Sequence, residues 1–249
     1  MKPFEMAYVC AEPFLPPLYR LVRRRLIELS ENGMQEPQIL DVGGRKSHYT
    51  IRVPGKVTVT DLPRESDIQK QLNLGINSPI IEQTIRRRTN VREVLFDDMT
   101  RSSLPDNTFD YVVAVEVLEH VEHDADFVRE VHRVLKSSGV FLMTTPNGDH
   151  VRKVHPDHKR HYTRAQLTGL LSSFFDDVEV DYAIRGGTFR RWGLKGWSLR
   201  RPVVTAKSML GNVINTFESS GEEVKLQSSG TYHLVAIAYK RRNVNVSNN

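Results

Sequence analysis

From about residue 38 the chain alternates short, β-rich apolar runs with stretches whose apolar residues recur every three or four positions. That alternation predicts a parallel sheet with helical crossovers. Ile39 to Val42 and Val57 to Thr60 read as the first two strands, and Phe109 to Val115 as the most strand-like run of all. Val140 to Thr144 follows, closed by Pro146-Asn147-Gly148, and Val178 to Tyr182 and Leu234 to Tyr239 come last. Between them, Asp124 is placed to cap a helix with the apolar face Phe127, Val128, Val131 and Leu135, and Gly139 stands just past its end. Thr163 and Gln166 form a capping box ahead of the stripe Leu167, Leu170, Leu171 and Phe174. Before the first strand, Leu15 to Leu29 is a basic helix expected to lie across the sheet.

The connection from Gly186 to Gly230 is long for this pattern, since links between such elements are usually short. It carries Trp192, Trp197, several arginines and a helix around Val203 to Phe217, and is expected to be a cap over the substrate. The chain thus divides into an N-terminal helical segment (1–37), a core (38–185), the cap insertion (186–230), a last strand (231–242) and a polar, disordered tail (243–249).

Composition narrows the picture. The 249 residues are 39% hydrophobic, enough for one large domain. No apolar run approaches the roughly 20 residues that span a bilayer, and the N-terminus lacks the apolar core of a signal peptide. Cys10 is the single cysteine, so an internal disulfide is excluded and a cytoplasmic setting is the simplest expectation. The net charge of +5 is modest, and its basic runs read first as solvated faces.

The chemistry-bearing residues fall in an order that suits a nucleoside cofactor at the carboxyl edge of a parallel sheet. Asp41-Val42-Gly43-Gly44 follows the first strand, where glycines let the backbone approach a ligand. Asp61 ends the second strand, in position to accept bonds from ribose hydroxyls. Asp97, Asp98 and Met99 stand where adenine would be gripped. Two clusters of proton-transfer groups remain. Glu116, Glu119 and His120 follow the Phe109 to Val115 strand, and His155 to Tyr162 lies between the Thr-Pro-Asn turn and the Thr163 helix. Both belong at the ligand edge. His158 or His161 would suit a general base, since histidine titrates near neutrality.

The glycine turn, the Leu104 to Asp110 segment, Glu116-Val117-Leu118-Glu119-His120 and Leu135 to Gly139 together resemble the class I S-adenosylmethionine (SAM)-dependent methyltransferases. The resemblance runs from about Ile39 to Phe175 and returns at the last strand. It implies an α/β fold: a Rossmann-like, seven-stranded, mostly parallel sheet with helices on both faces and SAM over the first two strand ends. Asp41, Gly43, Gly44, Asp61, Asp97, Asp98, Met99 and Glu116 become the cofactor-binding set, and His120, His158 and His161 the catalytic candidates. The family usually has glycine where Arg45 stands, and often where Ser47 stands, so the Arg45 side chain must turn away from SAM or meet its methionine carboxylate. The paired clusters are also similar to the small-RNA 3′-terminal 2′-O-methyltransferases, which implies a divalent metal held by Glu116, Glu119, His120 and His158. Mg²⁺, Mn²⁺ or a softer first-row ion would suit such donors.

Three functions remain open on the sequence. The first is O-methylation of a small molecule, sugar or lipid-linked glycan, with membrane-surface contact through 186–217. The second is metal-dependent methylation of RNA, and the third a non-catalytic SAM-fold protein that binds a partner. A nicotinamide dehydrogenase is disfavoured, because the loop lacks the G-x-G-x-x-G spacing.

Overall fold

The structure is a computed structural model that describes residues 1–31, 35–63, 75–152 and 156–241. The polar tail from 243 and His155 lie outside the described residues. Seven strands form one sheet in the order β3-β2-β1-β4-β5-β7-β6. They are β1 (Gln38–Val42), β2 (Lys56–Asp61), β3 (Val91–Phe96), β4 (Phe109–Val115), β5 (Leu135–Pro146), β6 (Asp177–Arg185) and β7 (Thr231–Tyr239). All neighbours run parallel except β7, which is antiparallel to both β5 and β6.

The period of two along the strands sorts the core onto both faces. Leu40, Val42, Val112, Ala114, Phe141 and Met143 face α4 (Asp124–Val134) and α5 (Arg164–Ser172), which supply Phe127, Val128, Val131, Leu167 and Leu171. Ile39, Val57, Val59, Tyr111, Val113 and Leu142 face the other way, onto Leu18, Val22 and Leu26 of α2 (Pro17–Ser30) and Ile80 and Ile81 of α3 (Ser78–Arg87). Strands buried on both sides need nearly continuous apolar sequence, as the run from Phe109 to Val115 provides. The basic N-terminal helix therefore covers the sheet as its spacing requires, and α1 (Pro3–Ala11) precedes it.

Two local expectations are corrected. Asp124 is the first residue of α4 rather than its cap; its carboxylate accepts from Arg160 and from the Tyr162 hydroxyl at 2.7 Å. Gly139 lies inside β5, because α4 ends at Val134 and the strand begins at once. The capping box at Thr163 and Gln166 is present as expected. Between β6 and β7 the chain forms α6 (Thr188–Gly193), α7 (Pro202–Glu218) and α8 (Glu222–Leu226).

Strand order reverses between β1 and β4, and in open α/β sheets the ligand crevice lies at such a switch point, beyond the carboxyl ends of the strands.

Candidate active site

At the end of β1 the backbone turns through Gly43 with φ +67°, and Gly44 begins a tight turn to Lys46. The Gly43 amide donates to the Thr60 carbonyl at 2.8 Å, fixing the turn to β2. A Cβ at Gly43 would stand 2.7 Å from Val117 Cγ2, and one at Gly44 would fall 2.7 Å from Asp41 Oδ2. Neither position has room for a side chain, so both glycines are required by packing as well as by conformation.

Under this turn Asp41 is wholly buried. Its oxygens accept from the Tyr49 hydroxyl at 2.9 Å and the Thr50 hydroxyl at 2.7 Å. Arg88, also buried, donates to Ser47 at 3.2 Å and to Thr50 at 2.7 Å, so two hydroxyls bridge guanidinium and carboxylate. Burial pushes the Asp41 carboxyl up, against the lowering pull of Ser47, Arg88, Thr50 and Tyr49. Asp41 thus shapes the turn from beneath, with its own loop filling its acceptor sites. Ser47, which occupies a common glycine position of the resembling family, is part of that network. Arg45 sits half-buried in the turn.

Asp61 closes β2, with its Oδ1 accepting from the Leu62 amide at 2.8 Å. Its carbonyl accepts from the Asp97 amide at 3.3 Å, which brings the third acidic position alongside. Among Asp97, Asp98 and Met99 the roles divide. Asp98 bonds the Thr100 hydroxyl at 2.7 Å and pairs with Arg101 at 3.3 Å. Met99 packs into the core with Leu104 and Phe109. Asp97 Oδ1 accepts from Ser103, but Oδ2 is buried without a hydrogen-bond partner. A buried acceptor in that state costs stability unless something donates to it, which makes Asp97 the better fitted of the two carboxylates to a ligand.

Across the crevice Glu116 follows β4 with φ +56°, a left-handed conformation that a non-glycine residue rarely adopts. Its amide donates to the Thr144 carbonyl at 3.1 Å, while its Oε1 accepts from the Thr144 hydroxyl at 2.9 Å and lies 3.2 Å from His233 Nδ1. Burial alone would raise the Glu116 carboxyl, but His233, Thr144 and His158 outweigh it and hold the group below its ordinary value. His233 was not among the residues singled out in the sequence. It reaches the site because β7 runs antiparallel to β5, pairing His233 with Pro146 at the ligand edge.

The remaining groups converge as the two clusters imply. Leu118–His120 forms a single tight turn, and the Glu119 carbonyl accepts from the amides of Lys159 at 2.6 Å and Arg160 at 3.4 Å. Glu119 is buried; its Oε2 accepts from the Thr145 hydroxyl at 3.1 Å, and its Oε1 has no hydrogen-bond partner. Burial, with the charge of Glu116 added, pushes its carboxyl well up. The His120 and His158 rings meet edge to face at 4.7 Å.

For neutral rings the histidine contacts constrain which nitrogens carry protons. His161 Nδ1 lies 3.0 Å from the Val151 carbonyl, which can only accept, so His161 Nε2 is the acceptor for His158 Nδ1 at 2.7 Å. With both rings neutral, His158 then carries its lone pair on Nε2. The Asp157 carbonyl, 3.2 Å from His120 Nδ1, gives His120 the same tautomer. One ligand atom each from Glu119, His120 and His158 lies within 4.8 Å of the others, a grouping that could hold a metal ion. Glu116 falls outside that group and is engaged instead with Thr144 and His233.

A sheet of this order, with a glycine turn at its switch point, has the class I SAM-dependent methyltransferase fold. Residues 41–143 match the methyltransferase domain family. A protein of Mycolicibacterium smegmatis named as a probable S-adenosylmethionine-dependent methyltransferase is 35% identical over 100 residues, which cover 38% of this chain and 39% of that protein. One of Mycobacterium tuberculosis H37Rv bearing the same designation is 36% identical over 107 residues, or 41% of this chain and 38% of that protein. The matched stretch is thus about two fifths of the length of these relatives.

Among solved structures, a SAM-dependent methyltransferase from Archaeoglobus fulgidus aligns with a TM-score of 0.56 at 17% identity, over 89% of this chain and 94% of that one. A Haemonchus contortus phosphoethanolamine N-methyltransferase, solved with phosphomonomethylethanolamine and S-adenosylhomocysteine, aligns at 0.56 and 13% identity, over 89% of this chain and 53% of that one. The cyclase SpnF aligns at 0.52 and 17% identity, over 89% and 82%. At such identities the likeness carries the fold alone, and a cyclase among the neighbours illustrates why reaction and substrate must be argued from the site.

Proposed function

We propose that this chain is a SAM-dependent methyltransferase that methylates a hydroxyl of a small molecule, a sugar or a lipid-linked glycan. The observation that carries the reaction is the hydrogen-bonded His158–His161 pair beside the crevice that holds the glycine turn. The cofactor would be held by the backbone at Gly43 and Gly44, by Asp61 at the ribose and by the unpartnered Asp97 Oδ2 at the adenine amine. Bound SAM supplies a methyl group made electrophilic by its sulfonium.

The chain's own task is then to bring a nucleophile into line and remove its proton. His158 Nε2 accepts the proton of the acceptor hydroxyl. The resulting positive charge is shared with His161 through the Nδ1 to Nε2 bond, and the Val151 carbonyl holds the far end of the pair. Glu116, whose carboxyl is held below its ordinary value with His158 among the causes, favours a cation at that place. Glu116, held by Thr144 and His233, forms the wall between cofactor and acceptor.

A second reading has one specific observation behind it. Glu119, His120 and His158 bring ligand atoms within 4.8 Å of one another, and Glu119 Oε1 has no partner. A divalent ion held there would lower the pKa of an acceptor hydroxyl. It would suit vicinal hydroxyls, an RNA terminus among them.

Transfer of labelled methyl from SAM to lipid-linked glycans and to RNA, each with and without EDTA, tests both. Label in the glycan that persists with EDTA supports the histidine base, whereas label confined to RNA and abolished by EDTA supports the metal. Incorporation into nitrogen rather than oxygen would contradict the proposal.

A further inference from the structure

Helix α7 is built inside out. Its face toward the domain carries Ser208, Gly211, Asn212 and Asn215, all buried, while Val203, Leu210 and Phe217 are 79%, 53% and 74% exposed. Those three are spaced seven apart, so they share one side of the helix. The polar face is held in place by its bonds. Ser208 donates to the carbonyls of Gly193 and Lys195, Asn212 Nδ2 to the Phe14 carbonyl at 2.9 Å, and Asn215 Nδ2 to the Arg185 carbonyl at 2.9 Å. A Cβ at Gly211 would stand 2.8 Å from the Phe189 carbonyl oxygen, so the helix also sits too close to α6 to roll. Turning the apolar stripe inward would orphan those buried amides, and an unmet buried donor loses its solvation without return.

The approach to this helix exposes more apolar surface. Leu194 is 62% exposed, Trp197 39% and Leu199 fully so. Charge on the same stretch is of one sign. From Gly186 to Phe217 the chain has Arg190, Arg191, Lys195, Arg200, Arg201 and Lys207, and no Asp or Glu. Lys207 Nζ lies over the Trp192 ring, 4.2 Å from its centroid, a cation–π contact on the same stretch.

We infer that α7 and the 194–201 approach form a docking surface for an anionic lipid bilayer. The apolar stripe enters the boundary between headgroups and acyl chains, and the basic side chains meet the headgroups. Charge complementarity selects this occupant. A second copy docked symmetrically on the same face would set cation against cation, and a nucleic acid would leave Leu199, Val203 and Leu210 without use. The helix lies on the surface rather than crossing it, since no helix among the described residues is long and apolar enough to span a membrane.

The surface also borders the crevice. Arg190 of α6 stacks over Tyr232 at 3.8 Å, one residue before His233. Resting on the proposed methyl transfer, the inference makes the acceptor lipid-borne, delivered from the side of the domain where Arg190 meets Tyr232.

Flotation with vesicles tests the inference, using phosphatidylcholine alone and phosphatidylcholine with about 30% phosphatidylglycerol, at low and high salt. The wild type is expected to float with the anionic vesicles and to be released by salt. Replacing both arginines in Arg200→Glu/Arg201→Glu should weaken binding about 30-fold or more, from about 1 kcal/mol per basic residue at the surface. Leu210→Asp/Phe217→Asp, on the exposed side of the helix, should abolish it. Titration with S-adenosylhomocysteine on each variant reports that the domain is folded and judges the methyltransferase reading separately. Failure of the wild type to float while that ligand still binds would overturn the docking surface alone. A dimer in sedimentation that Leu210→Asp/Phe217→Asp dissolves would overturn it in favour of a second copy.

Discussion

His158 Nδ1 stands 2.7 Å from His161 Nε2, and the Val151 carbonyl behind His161 makes His158 the donor of that bond. On the proposed mechanism His158 is the base at its Nε2, and His161 acts through it as a positioning residue. Replacing His158 by Ala should lower kcat about 10²–10⁴-fold, the usual contribution of a placed general base, with little change in cofactor affinity. His161→Ala should give a smaller loss of kcat and an altered pH profile, because His158 then loses the partner that fixes its tautomer. Equal loss of cofactor affinity in both variants would argue against proton transfer.

Gly44→Ala tests the turn. The added methyl would enter the space of the buried Asp41 carboxylate, itself tied to Tyr49 and Thr50. A cost of about 1–3 kcal/mol is expected for forcing a carbon into packed surroundings. That corresponds to about 2–4 °C in melting temperature per kcal/mol for a chain of this size, together with loss of cofactor binding. A variant that binds S-adenosylhomocysteine like the wild type would show that the turn is not the cofactor's seat.

Much of this arrangement was legible in the sequence. The buried strands announce themselves because both of their faces are covered, and the order of glycine turn, Asp61 and Asp97 follows the sheet's edge. Strand β3 was not legible. It is an edge strand whose exposed Arg92 and Phe96 break the continuous apolar signature of its neighbours. His233 and Arg88 were missed for a related reason. His233 joins Glu116 only through an antiparallel pairing far along the chain, and Arg88 reads as one more member of a basic run until burial sets it beside Ser47 and Thr50. The inverted face of α7 was hidden too, since apolar spacing says which residues share a side but not which side packs.

The Glu116–His233 contact predicts an acid-sensitive element of stability. Burial raises the Glu116 carboxyl, but His233 first, then Thr144 and His158, bring it below its ordinary value. A lowered carboxyl contributes stability above its unfolded pKa and loses that contribution as pH falls through its folded pKa. His233→Ala should therefore destabilise the protein near neutrality and make little difference in strong acid, where Glu116 is protonated in both forms. Melting temperatures of the two proteins from about pH 3 to pH 7 check this. A constant gap across the range would show that His233 acts by packing alone.

The Glu119, His120 and His158 grouping makes a separate prediction about metals. If an ion is held there, elemental analysis of the purified protein should find about one equivalent of a first-row divalent metal, and His120→Ala should remove it. Activity unchanged by EDTA in a metal-free preparation would leave the histidine pair as the base.

The claim on which all of this stands is that the switch point binds SAM. Calorimetric titration of the purified chain with S-adenosylhomocysteine tests it most directly. The account predicts one site of micromolar affinity, about −8 kcal/mol, and its loss in Gly44→Ala. No heat of binding, with or without added metal, would contradict the methyltransferase reading and leave a SAM-fold protein that binds some other partner.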